Sequence, residues 1–326
     1  MKKILTISVA AYNLETMIEE NLQSFAKCKN KEKLEVIVTD DGSKDNTAKI
    51  VQKYVDKYPD VFKLIKQKNM GAGSTVNSGI KHATGKYFKM IDGDDWVVTN
   101  NLDILLEHLE KTNSDIILTN RQIYNESTKK IVSYDKTGLE QCVNGKFSDI
   151  CKNLLLDMHF VMYKTSILQD NNIILDNGFY TDVEYLLLPV PYLKTIDIYD
   201  LDIYVYRIAR NGQSVSIPSM QKHLDMHDLV LKRLINYYNS LKKLNINSRE
   251  YIKNRLACMA DVQLGTILSF NNSNTKNEIK KFNNEIKSLN SEIYEIYSKK
   301  IKCRLLRHSA YILVRPLAWV YIKKNS

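Results

Sequence analysis

The sequence predicts an α/β fold: a mixed, mostly parallel sheet flanked by helices, followed by a helical C-terminal extension. Three observations carry this. Short, β-branched apolar runs alternate with amphipathic helical stretches over the first 120 residues, the pattern of a parallel sheet covered on both faces. Polar turns follow the first, second and fourth runs, at Tyr12-Asn13, Asp40-Asp41 and Asp92-Gly93-Asp94-Asp95, and ligands of such sheets bind at strand carboxyl ends. Beyond Pro218 helical periodicity takes over. The expected division is therefore a sheet domain over 1–217, with halves 1–120 and 121–217, and a helical region over 218–326.

Residues 3–10 form a continuous apolar run, read as a buried first strand. Met1-Lys2-Lys3 in front of it imitates a leader, but the run is short, and Asn13 and Glu15 follow without a small-residue cleavage site. Residues 15–27 place Met17, Ile18, Leu22 and Phe25 on one helical face. A second strand over 34–39 ends in Asp40-Asp41-Gly42-Ser43. Asp45 and Asn46 then offer caps for a helix that buries Ile50, Val51, Tyr54 and Val55. A third strand spans 61–65, and the turn Asn69-Met70-Gly71-Ala72-Gly73 enters a helix over 74–82. Residues 87–91 give the fourth strand, 100–111 a helix and 115–119 another strand. The polar stretch 121–145 suits a hairpin. Thr181-Asp182-Val183-Glu184 opens a helix through 185–190, and 203–208 reads as a strand.

In the C-terminal region, Ile279, Phe282, Ile286, Leu289, Ile293 and Ile296 follow a 3-4-3-4-3 spacing within 276–302, a heptad-like seam. Its shortness favours packing on its own domain; a homo-oligomer through this helix is the other use. The apolar run 310–322 is interrupted by Arg315-Pro316 and falls short of the about twenty residues that span a bilayer. Basic residues flank it, and Tyr311, Trp319 and Tyr321 lie within it. Residues 304–324 therefore suit either a helix lying in an anionic membrane interface or a buried terminal helix.

Five cysteines are scattered without a Cys-x-x-Cys pair, which argues against a zinc site or a disulfide framework and fits a reducing cytoplasm. The net charge of +10 is uneven: residues 276–324 hold twelve basic and four acidic side chains, a net +8. The near-neutral remainder argues against a nucleic-acid partner; the basic end points to an anionic surface. His223 and His227 have no acidic metalloprotease partner in sequence, and Gly71-Ala72-Gly73 lacks a Walker lysine.

Three carboxylates within four residues, Asp92, Asp94 and Asp95, repel one another at a strand end. A hard divalent cation shared with phosphate oxygens is their natural counter-charge. The same tetrapeptide is also good turn chemistry, and its company at the other strand ends favours the site.

These segments resemble the family 2 glycosyltransferases, of the bacterial surface-polysaccharide type, with the GT-A (Rossmann-like) fold. The resemblance rests on Ser8-Val9-Ala10-Ala11-Tyr12-Asn13, on 38–47, on 69–80, on Ala83-Thr84-Gly85-Lys86-Tyr87 and on Ile91-Asp92-Gly93-Asp94-Asp95-Trp96, in order. It covers 3–120 and, more loosely, reaches 216. Ala10 stands where the family usually has Pro. The resemblance implies a UDP-sugar site formed by Ala11, Tyr12, Asn13, Asp41, Asn69, Gly71, Asn77, Asp92, Gly93, Asp94 and Arg210, with Asp41 accepting from the uracil imide. It implies Mn2+ or Mg2+ on Asp94, aided by Asp92 and Asp95. Asp182 falls where the family has its catalytic base, with Thr181 replacing the Glu of the usual Glu-Asp pair. The Gln-x-x-Arg-Trp pattern of processive members is missing.

The implied activity is inverting, metal-dependent, non-processive transfer of a hexose or N-acetylhexosamine to a hydroxyl of a saccharide or lipid-linked saccharide, in the cytoplasm or at the inner face of the cell membrane. Two alternatives are a catalytically degenerate nucleotide-sugar-binding assembly subunit and a nucleotidyltransferase; the latter usually wants a basic Gly-rich loop that 11–15 does not supply.

Overall fold

The computed structural model describes residues 2–138, 140–154, 156–178, 180–209 and 216–325. Arg210, expected at the diphosphate, lies outside them. Chain contacts divide the protein into two units, Met1–Arg210 and Asn211–Ser326.

In the first unit β1 (Leu5–Ala11), α1 (Ile18–Ala26), β2 (Leu34–Asp40), α2 (Thr47–Lys57), β3 (Phe62–Lys66), α3 (Ala72–His82) and β4 (Tyr87–Asp92) alternate as the periodicity predicts. There follow β5 (Trp96–Val97), α4 (Thr99–Lys111), β6 (Ile116–Asn125), β7 (Lys130–Asp135), β8 (Cys142–Lys146) and α5 (Phe147–Ile150). The unit closes with β9 (Val161–Lys164), α6 (Thr165–Asp170), α7 (Thr181–Leu187) and β10 (Thr195–Ile208). The sheet order is β3-β2-β1-β4-β9-β6-β10-β5, with β7 on β6 and β8 on β10. β1 pairs in parallel with β2 and β4, β2 with β3, and β6 with β10, whereas β9 lies antiparallel between β4 and β6. The sheet is thus mixed and mostly parallel in its first half, as expected.

Alternation along β1 sorts the two faces. Leu5, Ile7, Val9 and Ala11 join Ile18, Leu22 and Phe25 of α1, Val51 of α2, and Leu102, Leu105, Leu106 and Leu109 of α4 in one core. Ser8 points the other way, against α3, so closely that a Cβ on Gly79 would stand 2.0 Å from its Oγ.

The expected hairpin forms between β6 and β7, with Arg121 opposite Asp135. Four stretches of strand escaped the sequence reading: β5, β8, β9 and the first half of β10. Asp197, Asp200 and Asp202 break the apolar pattern of β10, and its register with β6 shifts between Ile198 and Tyr204. Asp197 is nonetheless buried, accepting from Ser114 Oγ, Tyr199 Oη and the Asn144 N–H.

The second unit is helical: α8 (Ile217–Lys222), α9 (Leu224–Ser240), α10 (Ile246–Ser269), α11 (Thr275–Leu289), α12 (Ser291–Ser298), α13 (Ile301–His308) and α14 (Val314–Asn325). The heptad-like stretch is two helices rather than one. Asn290 leaves helical backbone and caps α12, accepting from the Ile293 N–H. Ile279, Phe282, Ile286 and Ile293 are buried within the unit, so most of the seam packs on its own domain instead of facing outward. No described helix is long and apolar enough to cross a membrane.

Candidate active site

The carboxyl ends of β2, β1 and β4 lie side by side, with Ala11 opposite Asp40 and Ala10 opposite Asp92. Two main-chain bonds tie the turns leaving them: Asp41 N–H to Ala11 O (2.8 Å) and Gly93 N–H to Ala10 O (3.1 Å). A Cβ on Gly93 would meet Leu14 Cδ1 at 2.6 Å and Ala10 O at 2.7 Å, so only glycine lets the acidic turn pack this low. The half-exposed Tyr12 stands beside Asn13, which takes positive φ. Asn13 accepts from Lys44 N–H and donates its own N–H to Ser43 Oγ. Sequence reasoning therefore places Ala11, Tyr12, Asn13, Asp41, Asp92, Gly93 and Asp94 on one sheet edge, and the structure brings them there.

The carboxylate of Asp41 is buried and holds the loop before α3. It accepts from Gln67 Nε2 (2.7 Å), Met70 N–H (2.9 Å) and Gly71 N–H (2.9 Å). Asn69 lies exposed on this loop, its N–H 3.0 Å from where a Cβ on Gly42 would sit. Gly71, at φ +93°, is the N-cap of α3. Asn77 faces Leu175 and not the sheet edge: its Nδ2 donates to Leu175 O (2.8 Å) and its Oδ1 accepts from Leu175 N–H (2.9 Å). That is a different position from the nucleotide contact expected of it.

Within the acidic turn the three carboxylates divide their work. Both oxygens of Asp95 are engaged by β10: Tyr204 Oη donates to one (2.6 Å) and Arg207 N–H to the other (2.8 Å). Burial, with the charges of Asp94 and Asp92 nearby, pushes the Asp95 carboxyl well above the usual range. Arg207 is the buried counter-charge. Its Nε donates to Asp94 O (2.7 Å), its guanidinium pairs with Glu20 (2.6 Å) and Glu126, and it stacks 4.7 Å from the Trp96 ring. Arg207 thus fixes the turn from behind, a role its sequence setting did not reveal.

Among the described residues no three His, Cys, Asp or Glu side chains converge as a complete metal shell. An Mg2+-type ion asks less, one or two carboxylates with phosphate and water supplying the rest. Asp92 and Asp94 meet that requirement, and their mutual repulsion with Asp95 is the observation that fits a cation. Asp95, held by Tyr204 and Arg207, is a support for the turn rather than an open ligand.

Asp182 opens α7. Tyr180 precedes it in left-handed backbone (φ 69°). Burial, reinforced by the charge of Asp157, raises the Asp182 carboxyl above its ordinary value. Asp157 belongs to a polar cluster absent from the sequence reading. Arg121 pairs with Asp135 and Asp157 (each 2.9 Å) and approaches His159 Nδ1 (2.7 Å), while His159 also bonds Asp157. The His159 ring packs 4.6 Å from both Tyr204 and Tyr206. A continuous path of contacts therefore runs from the cluster beside Asp182 through Tyr204 to Asp95.

Residues 6–171, half of the chain, match the family described as "Glycosyl transferase family 2". The chain belongs to glycosyl transferase family 2. The resemblance read from the turns is thereby borne out. This family 2 chain is 28% identical over 241 residues to the cholesterol galactosyltransferase of Borreliella burgdorferi, covering 69% of this chain and 65% of that protein. It is 27% identical over 222 residues to the poly(ribitol-phosphate) beta-N-acetylglucosaminyltransferase TarS of Staphylococcus aureus, covering 65% of this chain and 36% of that protein. The chain thus spans less than two thirds of the length of either relative. The crystal structure of S. aureus TarS 1-349 in complex with UDP-GlcNAc superposes with a TM-score of 0.70 at 20% identity, over 99% of this chain and 92% of that one. The expected GT-A fold with a helical C-terminal region is confirmed by this match.

Proposed function

We propose that this protein is an inverting, metal-dependent, non-processive glycosyltransferase that moves a sugar from a UDP-sugar to a hydroxyl of a saccharide or lipid-linked saccharide in cell-surface polysaccharide synthesis. The observation that carries the reading is the shared edge of β2, β1 and β4, where Asp41, Asp92 and Asp94 stand together above a turn locked by Arg207 and Tyr204. The likeness to a protein crystallised with UDP-GlcNAc supports a uridine nucleotide, and the crowding of Asp92 and Asp94 beside Asp95 supports an ion.

In this reading Asp41 and the 12–13 turn hold the nucleobase, and Asp92 and Asp94 would hold Mn2+ or Mg2+. The ion, when bound, stabilises the charge that grows on the departing nucleoside diphosphate. Asp182 takes the proton of the acceptor hydroxyl as that oxygen bonds to the anomeric carbon from the face opposite the leaving group. The bond from the anomeric carbon to the diphosphate breaks, UDP keeps the electron pair, and the proton rests on the Asp182 carboxylate. A carboxyl raised by burial is the better base for this task.

The test is UDP release from UDP-sugars with Mn2+ or Mg2+ and a saccharide acceptor panel. Asp182→Asn and Asp94→Ala should each lower turnover about 100-fold or more. The acid limb of the rate profile should lie above the ordinary aspartate range, because Asp182 must be ionised to act and its carboxyl is raised. Full turnover in both variants would sink the assignment; UDP binding with no transfer to any acceptor would favour a degenerate binding subunit.

A further inference from the structure

We propose that Asn77 is a positioning residue that staples the segment bearing Asp182 to the nucleotide side of the fold. The proposal rests on the reading of Asp182 as the base.

Residues 175–178 and Thr181 lie on the N-terminal half of α3 with almost no clearance. Asn77 grips the main chain of Leu175 at both its carbonyl and its N–H, at 2.8 and 2.9 Å. A Cβ added to Gly73 would stand 1.6 Å from Asp176 O and 2.7 Å from Thr181 Cγ2. One added to Gly71 would stand 1.8 Å from Asn177 O. The segment is braced from within as well: Asp176 N–H donates to Glu184, and Gly178 N–H donates to Asp176 Oδ2 (3.1 Å). The two-point grip of Asn77 fixes both position and direction of the chain seven residues before Asp182.

The other end of this contact reaches the nucleobase side. Asp41 holds the N–H groups of Met70 and Gly71, and Gln67 Nε2 bridges Asp41 to Ser74 Oγ (2.6 Å) in the first turn of α3. Whatever moves the 67–71 loop therefore presses on Asn177 through Gly71 and on Asp176 through Gly73. Asn77 is the joint that keeps base and nucleotide edge in register, without touching either substrate.

The test compares Asn77→Ala, Asn77→Asp and Gly73→Ala with the parent in the full chain. Turnover with a UDP-sugar and Mn2+ is read beside UDP affinity by calorimetry and hydrogen exchange over 172–182. The expected signature is a kcat lowered about tenfold or more, since small misplacements of a reacting group are costly. KM for the donor and the UDP affinity should stay within about twofold, and exchange should quicken over 175–182. Should Asn77→Ala fail to fold, Asn77→Asp decides: it keeps the acceptor for Leu175 N–H and loses the donor to Leu175 O. Loss of UDP affinity in step with kcat would make Asn77 a nucleotide ligand and overturn the proposal, as would unchanged kcat and unchanged exchange. A fully active Asp182→Asn would instead overturn the reading beneath it, whatever Asn77 does.

Discussion

Lys89 sits in the middle of β4, fully buried, with its ammonium donating to the carbonyls of His159 (2.8 Å) and Val161 (3.2 Å) and facing the Tyr204 ring. Burial lowers its pKa from 10.5 to about 7. The native state therefore sheds a proton that the unfolded chain keeps, so stability should climb as pH rises from about 7 towards 10.5, with a limiting slope of about 1.4 kcal/mol per pH unit. Denaturant unfolding at pH 7 and pH 9 should show this climb in the parent and a flatter one in Lys89→Met; identical slopes would refute it. Lys89 also marks where sequence reading stops. Asp41, Asp92 and Asp94 were legible because a polar turn at a strand end is a local signal. The tasks of Lys89, Asp95 and Asn77 are set by partners between 70 and 112 positions away, and no local pattern encodes them.

The end of β10 is the backstop of the acidic turn. Tyr204, Val205 and Arg207 each meet it: Tyr204 Oη donates to Asp95 and accepts from Asp92 N–H (3.2 Å), Val205 pairs with Trp96, and Arg207 binds Asp94 and Asp95. Removing the hydroxyl in Tyr204→Phe leaves a buried carboxylate oxygen short of a donor and should cost about 1–3 kcal/mol. It should also weaken Mn2+-dependent UDP binding, because Asp92 and Asp94 lose their shared support. Calorimetry on the folded variant would check both effects, and an unaltered melting temperature would count against the backstop. The sequence showed β10 only from 203 onward, since its acidic first half hides its burial until Ser114, Asn144 and Tyr199 are in place around Asp197.

Across the molecule the charge is concentrated in the helical unit, where residues 276–324 carry a net +8. Its last segment is part buried and part exposed. Cys303, Leu306, Val314 and Ala318 are buried, and Tyr321 packs on α10 against Gly265. Ile301, Leu305, Ile312, Trp319 and Val320 are exposed among Arg304, Arg307, Arg315, Lys323 and Lys324. An apolar, aromatic surface with basic residues around it suits an anionic bilayer interface. Truncating at 304 would open the unit's own core, so point changes are the cleaner probe. Trp319→Ser with Ile312→Ser should reduce sedimentation with phosphatidylglycerol vesicles several-fold and leave the melting temperature nearly unchanged. Equal binding by parent and variant, or none by the parent, would exclude this face as a membrane contact.

The Asn77–Leu175 staple also orders events in the life of the chain. Its two ends are 98 residues apart, and contacts of long sequence separation close late because the loop between them must first lose its freedom. The strand ends that carry Asp41, Asp92 and Asp94 all lie within the first 95 residues of the chain, but the turn at 92–95 gains its Tyr204 and Arg207 partners only once β10 has joined the sheet. Seating of the proposed base waits until β9, α6 and the strands around them have joined the sheet. On the proposed reading, the donor edge and the base then reach their final places together, late, when the far strands and the Leu175 contact close on the early ones.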